Sequence, residues 1–158
     1  MGNNSQANTL SAFSVEAQYE ALPPLGKEMI RLLAIAYAPV TQTFLLDCLR
    51  EIPSALRLPL QPPLETQFKA MLAQLLQADL IKKAKKGRLV CHESLQDIPC
   101  REAVKSGRYD QLVDLVNKHE PIRTVGYSDR RNFYSEDQFI REVRIGIYRQ
   151  DLFEIEFF

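Results

Sequence analysis

Residues 80–93, LIKKAKKGRLVCHE, decide the fold of this chain. Two short runs of strand-forming residues flank a turn at residues 85–88, and this pattern predicts a β-hairpin. Residues 82–88 carry five positive charges and no negative charge, whereas the whole chain has a net charge of zero. This local excess of positive charge makes nucleic acid a candidate partner. The candidate binding residues are Lys82, Lys83, Lys85, Lys86 and Arg88.

The composition is typical of a globular protein, with 46% hydrophobic and 25% charged residues. The 158 residues are enough for one ordinary domain or two small ones. Three cysteines without regular spacing argue against a disulfide framework, so we expect a reduced, cytoplasmic setting. The longest apolar run, residues 32–40, is shorter than the roughly 18 residues of a membrane helix, and we expect no membrane contact.

Helical periodicity precedes the hairpin. A first helix is predicted to end before Pro39, and a second to begin after Thr41, whose hydroxyl can cap it. The face expected to be buried in the first helix comprises Met29, Leu32, Leu33 and Ala36. In the second helix it comprises Phe44, Leu45, Cys48 and Leu49.

A third helix is predicted over residues 64–78, after a connection at residues 52–63 that contains four prolines and is expected to pack as a loop. Its apolar stripe comprises Phe68, Met71, Leu72, Leu75 and Leu76. The order of three helices and a hairpin, with the run FKAMLAQLLQADLIKKAKKGRLVCHE at residues 68–93, resembles the winged-helix superfamily over residues 20–95. The resemblance implies that the basic hairpin is the wing of such a domain.

The outward face of the third helix indicates whether such a domain could read base edges. Reading base edges in the major groove requires Arg, Lys, Asn or Gln there. The outward residues are predicted to be Glu65, Gln67, Lys69, Ala73, Gln74 and Gln77. Three uses stay open: base-specific readout, nonspecific contact through the hairpin, and protein contact. The hairpin lysines could also simply be solvated or protect an exposed strand edge from aggregation.

The C-terminal half predicts an α-helical hairpin domain over residues 97–158. Residues 101–116 and 141–156 align with one gap at an offset of about 40 residues, which suggests a repeat. If so, Gly107 and Gly146 lie in equivalent turns, and Tyr109 and Tyr148 pack in equivalent places. The alternative is chance similarity between amphipathic helices. A basic and aromatic segment, residues 123–134, is predicted to be a polar loop, with stacking on single-stranded bases as the alternative.

Both ends of the chain differ in character from the rest. Residues 1–19 are expected to be a disordered tail, with a winged-helix domain following at residues 20–96. The last residues, LFEIEFF, are apolar and form either a helix or a strand. We expect them to contact a protein surface, either the rest of a longer chain or a second copy. The residues involved are Phe153, Ile155, Phe157 and Phe158.

Three runs, RLLAIAYAPVTQTFLLDCLRE (31–51), LVCHESL (89–95) and REVRIGIYRQD (141–151), look like the N-terminal region of large bacterial SNF2-type helicases. This resemblance implies an accessory module attached to an ATP-driven motor. The chain itself has no nucleotide-binding loop, and Cys91, His92 and Cys100 are too few for a zinc site, so we expect no enzyme, cofactor or metal. The expected function is a non-catalytic N-terminal module of a larger bacterial protein that makes protein or nonspecific nucleic-acid contacts. The alternative is a sequence-specific transcriptional regulator.

Overall fold

The computed structural model describes residues 15–52, 63–122 and 135–149. In these ranges the fold is mainly helical with one two-stranded antiparallel sheet, which confirms the predicted mainly α class. Two short 3₁₀ turns, Lys85–Gly87 and Glu93–Leu95, lie in and after the hairpin. The main elements are α1 (15–20), α2 (Pro24–Ala36), α3 (Gln42–Glu51), α4 (Leu64–Gln77), β1 (Ile81–Lys83), β2 (Leu89–Cys91), α5 (Ile98–Lys105), α6 (Tyr109–His119) and α7 (Glu136–Arg149).

Helix α2 is the centre of the fold. It contacts α3, α4, α5, α6, α7 and β2, and 10 of its 13 residues are buried. A helix with apolar residues on nearly all sides is stable only where other elements surround it, and α2 has this pattern. It ends at Ala36 because Tyr37 adopts a left-handed conformation (φ +62°) and its N–H bonds to the carbonyl of Leu33.

The local predictions for α3 and α4 are confirmed. The Thr41 hydroxyl accepts a hydrogen bond from the N–H of Phe44 at 3.1 Å, and the predicted apolar face of α3 is buried. Helix α4 ends at Gln77, one residue earlier than predicted, and its stripe faces the core except for the half-buried Leu76. Nearly all of the predicted Pro-rich loop lies outside the described residues.

The predicted hairpin is present. Strands β1 and β2 pair antiparallel, with Lys82 opposite Val90 at the centre of the register. A third chain segment joins the sheet, because Val40 and Leu89 exchange two backbone hydrogen bonds of 3.0 and 2.7 Å. The link between α2 and α3 therefore holds β2 against the helical body.

One hydrophobic core contains described residues from both predicted domains, 20–96 and 97–158. A buried ionic network crosses the same junction: Arg108 donates two 2.9 Å hydrogen bonds to Glu28, which is 6% exposed. Arg31 bonds both Glu28 and Glu102 at 3.3 Å, and the hydroxyl of Tyr19 donates to Glu102 at 2.6 Å. The network ties α1 and α2 to α5 and the start of α6.

Two predictions are corrected. Residues 15–19, assigned to the disordered tail, belong to α1, because Val15 and Tyr19 are buried in the core. Gly146 is not in a turn equivalent to that of Gly107: it is buried inside α7, whereas Gly107 has φ +72° between α5 and α6. Residues 1–14, 123–134 and 150–158, with the predictions made for them, lie outside the described residues. In the described ranges, no helix is both long and apolar enough to cross a membrane.

Candidate nucleic-acid interface

The strand residues of the hairpin divide into an inner and an outer set. Ile81, Leu89 and Cys91 are buried against the helices, while Lys82 and Lys83 are exposed. The alternation along β2 follows from the two-residue period of a strand, which turns every second side chain towards the core. Apolar burial on the inner side therefore fixes the register, and the lysines are left in solvent.

The turn places the remaining basic residues at the tip. Lys86 and Gly87 have φ values of +58° and +68°, so two successive left-handed residues reverse the chain tightly. A Cβ atom placed on Gly87 would meet no described atom within 4 Å, so the space beside Gly87 is open. Lys85, Lys86 and Arg88 are all exposed there.

The hairpin lysines (Lys82, Lys83, Lys85 and Lys86) have no ion-pair partner among the residues that the structure describes. None of the four is within 4.0 Å of a carboxylate among the described residues, whereas Lys118 forms a 2.7 Å pair with Glu51. Four neighbouring exposed cations repel one another, and an anionic partner would relieve that repulsion.

Arg88 differs from the hairpin lysines. One of its terminal nitrogens donates to the carbonyl of Pro39 at 3.3 Å, in the segment that also carries Val40. This bond and the Val40–Leu89 bridge both fasten the second strand of the hairpin to the link between α2 and α3. Arg88 is therefore partly engaged in positioning the hairpin, although its side chain remains exposed.

Two hydrogen bonds of His92 connect the residues at the base of the hairpin. The N–H of His92 bonds to the carbonyl of Leu80 at 2.9 Å, and Nδ1 of His92 accepts from the N–H of Ser94 at 3.1 Å.

Burial raises the pKa of the Cys91 thiol to about 12 and that of Cys100 to about 11, so both are protonated at neutral pH. Protonated, buried thiols are poor metal ligands and nucleophiles. Among the described residues, no group of three metal-binding side chains is present.

The outward face of α4 is nearly neutral. Glu65, Lys69, Ala73, Gln74 and Gln77 are exposed as predicted, and Gln67 is half-buried. The guanidinium of Arg50, which also bonds Asp47 at 3.1 Å, pairs with Glu65. Lys69 is thus the one cation of this face without an ion-pair partner among the described residues. The face offers amides for hydrogen bonding but little charge for phosphates.

The ionic network around Glu28 was not predicted from the sequence. A signal for it was present, since Glu28 falls on the same helical face as Leu25 and Leu32, where a charged residue must be paired when buried. Its partner Arg108 is 80 positions away and could not be identified from spacing. A cavity of about 350 Å³ lies beside this network, lined by Leu22, Pro24, Lys27, Glu28, Arg31, Ile52 and Arg108.

Comparison with known proteins gives no match: no family model fits the chain, and neither a curated protein nor a solved structure is similar to it. The geometry of the described residues therefore carries the functional argument.

Proposed function

We propose that this chain is a non-catalytic module that contacts nucleic acid through its basic hairpin, by phosphate contacts and without reading sequence. The observation that carries the proposal is that all four hairpin lysines are exposed and lack an ion-pair partner among the described residues. Lysine acts as a point charge towards phosphate, and its gain in affinity comes largely from release of condensed counterions.

The arrangement of elements supports a winged-helix interpretation. Helices α2, α3 and α4 precede β1 and β2, which is the order that the resemblance implies. The bridge between Val40 and Leu89 adds support, because it docks the hairpin beside the helices rather than leaving it as a free arm. In this proposal the hairpin is the wing.

We further propose, on the resemblance alone, that the module serves a larger bacterial protein with an SNF2-type motor. Such a motor needs contact with nucleic acid of any sequence, which suits a hairpin of lysines. The alternative, a sequence-specific transcriptional regulator, is less well supported because the exposed face of α4 has a single unpaired cation, Lys69, among the described residues.

Protein contact is the second candidate function, and it has an observation of its own. Val104, Phe139 and Ile147 are large apolar residues with 38%, 39% and 55% exposure. Large apolar side chains exposed to solvent favour association with a partner surface. Phe139 and Ile147 are both on α7, so a partner surface would contact this helix rather than the hairpin.

Fluorescence anisotropy with labelled duplexes of unrelated sequence tests the proposal. The quadruple variant that replaces each hairpin lysine by Glu is expected to abolish binding with little change in the melting temperature, because all four side chains are exposed. Two single variants remove the same charge at different positions. Lys85→Gln should weaken binding by about threefold. Lys105→Gln, which removes an exposed lysine of α5, should not change binding. Equal effects of the two single changes would contradict the proposal.

A further inference from the structure

We infer that the hairpin lysines bind the phosphates of double-stranded rather than single-stranded nucleic acid, with α4 outside the grooves. The inference rests on the proposed function and specifies the form of nucleic acid that the same surface takes. Three observations support it. Residues 63–92 have no exposed aromatic ring, the charges of the hairpin are lysine ammonium groups, and the outward face of α4 carries little charge.

The described hairpin and α4, residues 63–92, present no exposed aromatic ring for stacking bases. In residues 63–92, which the structure describes without a gap, the one Phe, Tyr or Trp is Phe68, and it is 3% exposed in the core. His92 is half-buried, and its ring accepts a hydrogen bond from the backbone of Ser94. Proteins that bind single strands rely on exposed aromatic rings, because every base has a face that stacks. Residues 63–92 therefore offer no exposed aromatic ring on which a base could stack.

The charges of the hairpin favour the form with the higher density of phosphates. Lysines gain affinity by displacing condensed counterions, and a duplex carries one negative charge per about 1.7 Å of its axis. The slope of log K against log salt concentration is about −0.9 per neutralised phosphate for a duplex and about −0.7 for a single strand. Each hairpin lysine therefore contributes more towards a duplex.

Helix α4 lacks the charges that entry into a groove requires. A helix in the major groove runs between two phosphate backbones, so cations are needed along its flanks. Among the described residues, Lys69 is the one cation of the outward face without an ion-pair partner, because Arg50 is already paired with Glu65 and Asp47. Gln74 and Gln77 are exposed, but without flanking charge their amides have nothing to hold them against base edges.

The test measures the affinity of the full chain for one labelled DNA strand, alone and annealed to its complement, at several salt concentrations. We expect the duplex to bind at least about fivefold more tightly at low salt, with a slope of log K against log salt no steeper than about −3.6 for four phosphates. Equal or tighter binding of the single strand would overturn the inference and point to the aromatic and basic residues at 123–134 instead. If neither form binds, or the quadruple Glu variant binds as the wild type does, the proposed function itself fails.

Two further arms examine what the protein contacts on the duplex. An RNA duplex of the same sequence should bind within about threefold of the DNA duplex, because phosphates are common to both. A preference of more than about tenfold for either duplex would mean that sugar or groove shape is read, which overturns backbone-only binding. The double variant Gln74→Ala, Gln77→Ala should leave the duplex affinity unchanged, and a loss of more than about fivefold would show that α4 enters a groove.

Discussion

The ring of Tyr148 in α7 lies 5.4 Å from the ring of Tyr109 in α6, with the two planes tilted by 51°. Aromatic rings at this separation and tilt attract each other beyond the effect of burial alone. The hydroxyl of Tyr148 also donates to Asp97, which immediately precedes α5. One side chain thus fastens α7 to both helices of the α5–α6 pair.

Arg144, one turn earlier on α7, reinforces this attachment. Its guanidinium lies 4.9 Å from the centre of the Tyr37 ring and 5.6 Å from that of Tyr148, and it donates to the carbonyl of Gln96 at 2.7 Å. Tyr37 follows α2, so α7 also reaches the central helix. The attachment of α7 consists largely of polar and aromatic contacts, with Ile145 and Gly146 buried beneath them.

Truncation of Leu75 is expected to be strongly destabilising. This side chain of α4 is fully buried, so Leu75→Ala should lower the free energy of unfolding by about 2–5 kcal/mol through lost burial and the cavity left behind. Urea denaturation measures the change. The neighbouring exposed residue gives the control, since Gln74→Ala should change stability by less than about 0.5 kcal/mol. A loss below about 1 kcal/mol for Leu75→Ala would mean that the helix is rotated from the position described.

Removing one partner of the Glu28–Arg108 ion pair is expected to destabilise the fold strongly. Arg108→Ala leaves the buried Glu28 carboxylate with only the 3.3 Å bond from Arg31, so we expect a loss of about 3–5 kcal/mol. Replacing both partners by Met should cost less than this single change, because no buried charge is then left unpaired. Denaturant unfolding of Glu28→Met, Arg108→Met and the double Met variant measures the coupling. Additive effects of the two changes would show that the pair does not interact.

The Tyr19–Glu102 contact predicts a stability that falls in acid. Burial of Glu102 raises its pKa, but hydrogen bonds from Tyr19 and Arg31 more than offset this and hold the pKa below its ordinary value of 4.5. A carboxyl group whose pKa is lowered by folding stabilises the protein above its unfolded pKa, and this contribution is lost as pH falls through the folded pKa.

Tyr19→Phe tests this dependence because it removes the hydroxyl and keeps the buried ring. The variant should be less stable than the wild type at pH 7. The difference should shrink as the pH falls below the ordinary value of about 4.5 towards the lower pKa of Glu102 in the folded protein, where this carboxyl becomes protonated. Urea unfolding from pH 7 downwards follows the difference. A gap between wild type and variant that stays constant across this range would argue against a role for the Glu102 charge.

The features that the sequence predicted correctly depend on residues close together along the chain. The Thr41 cap involves Phe44, three positions on, and the apolar face of α3 repeats within a single helix. The hairpin follows from a short alternating pattern around a turn with Gly87. In each case the physical cause is local, so the sequence pattern carries it.

The features that were missed join distant segments. Tyr19 belongs to a polar stretch, yet it is buried in the core, and its hydroxyl bonds Glu102, which is 83 positions away. The repeat alignment treated Gly107 and Gly146 alike, but only Gly107 has the positive φ for which glycine is needed in a turn. Tyr109 and Tyr148, predicted to occupy equivalent places, contact each other, and this contact was not predicted. Tertiary packing determines which residues contact each other across the core. The spacing of residues along a single sequence does not predict such contacts.

The attachment of α7 leads to a prediction about local stability. Tyr148→Ala removes the ring contact with Tyr109, the bond to Asp97 and part of the surroundings of Arg144. Amide hydrogen exchange in α7 should then become about five- to tenfold faster, while exchange in α2, which is buried on nearly all sides, should not change. Exchange followed by mass spectrometry measures both helices in one sample.

Two variants on the same helix separate the parts of this effect. Ile147→Ala alters the adjacent side chain, which is 55% exposed, and should leave the exchange of α7 unchanged. Tyr148→Phe keeps the ring against Tyr109 and loses only the hydroxyl bond to Asp97, so its effect should be smaller than that of Tyr148→Ala. If Tyr148→Ala leaves the protection of α7 intact, the helix is held by Arg144, Ile145 and its other contacts, and the pair of tyrosines contributes nothing measurable.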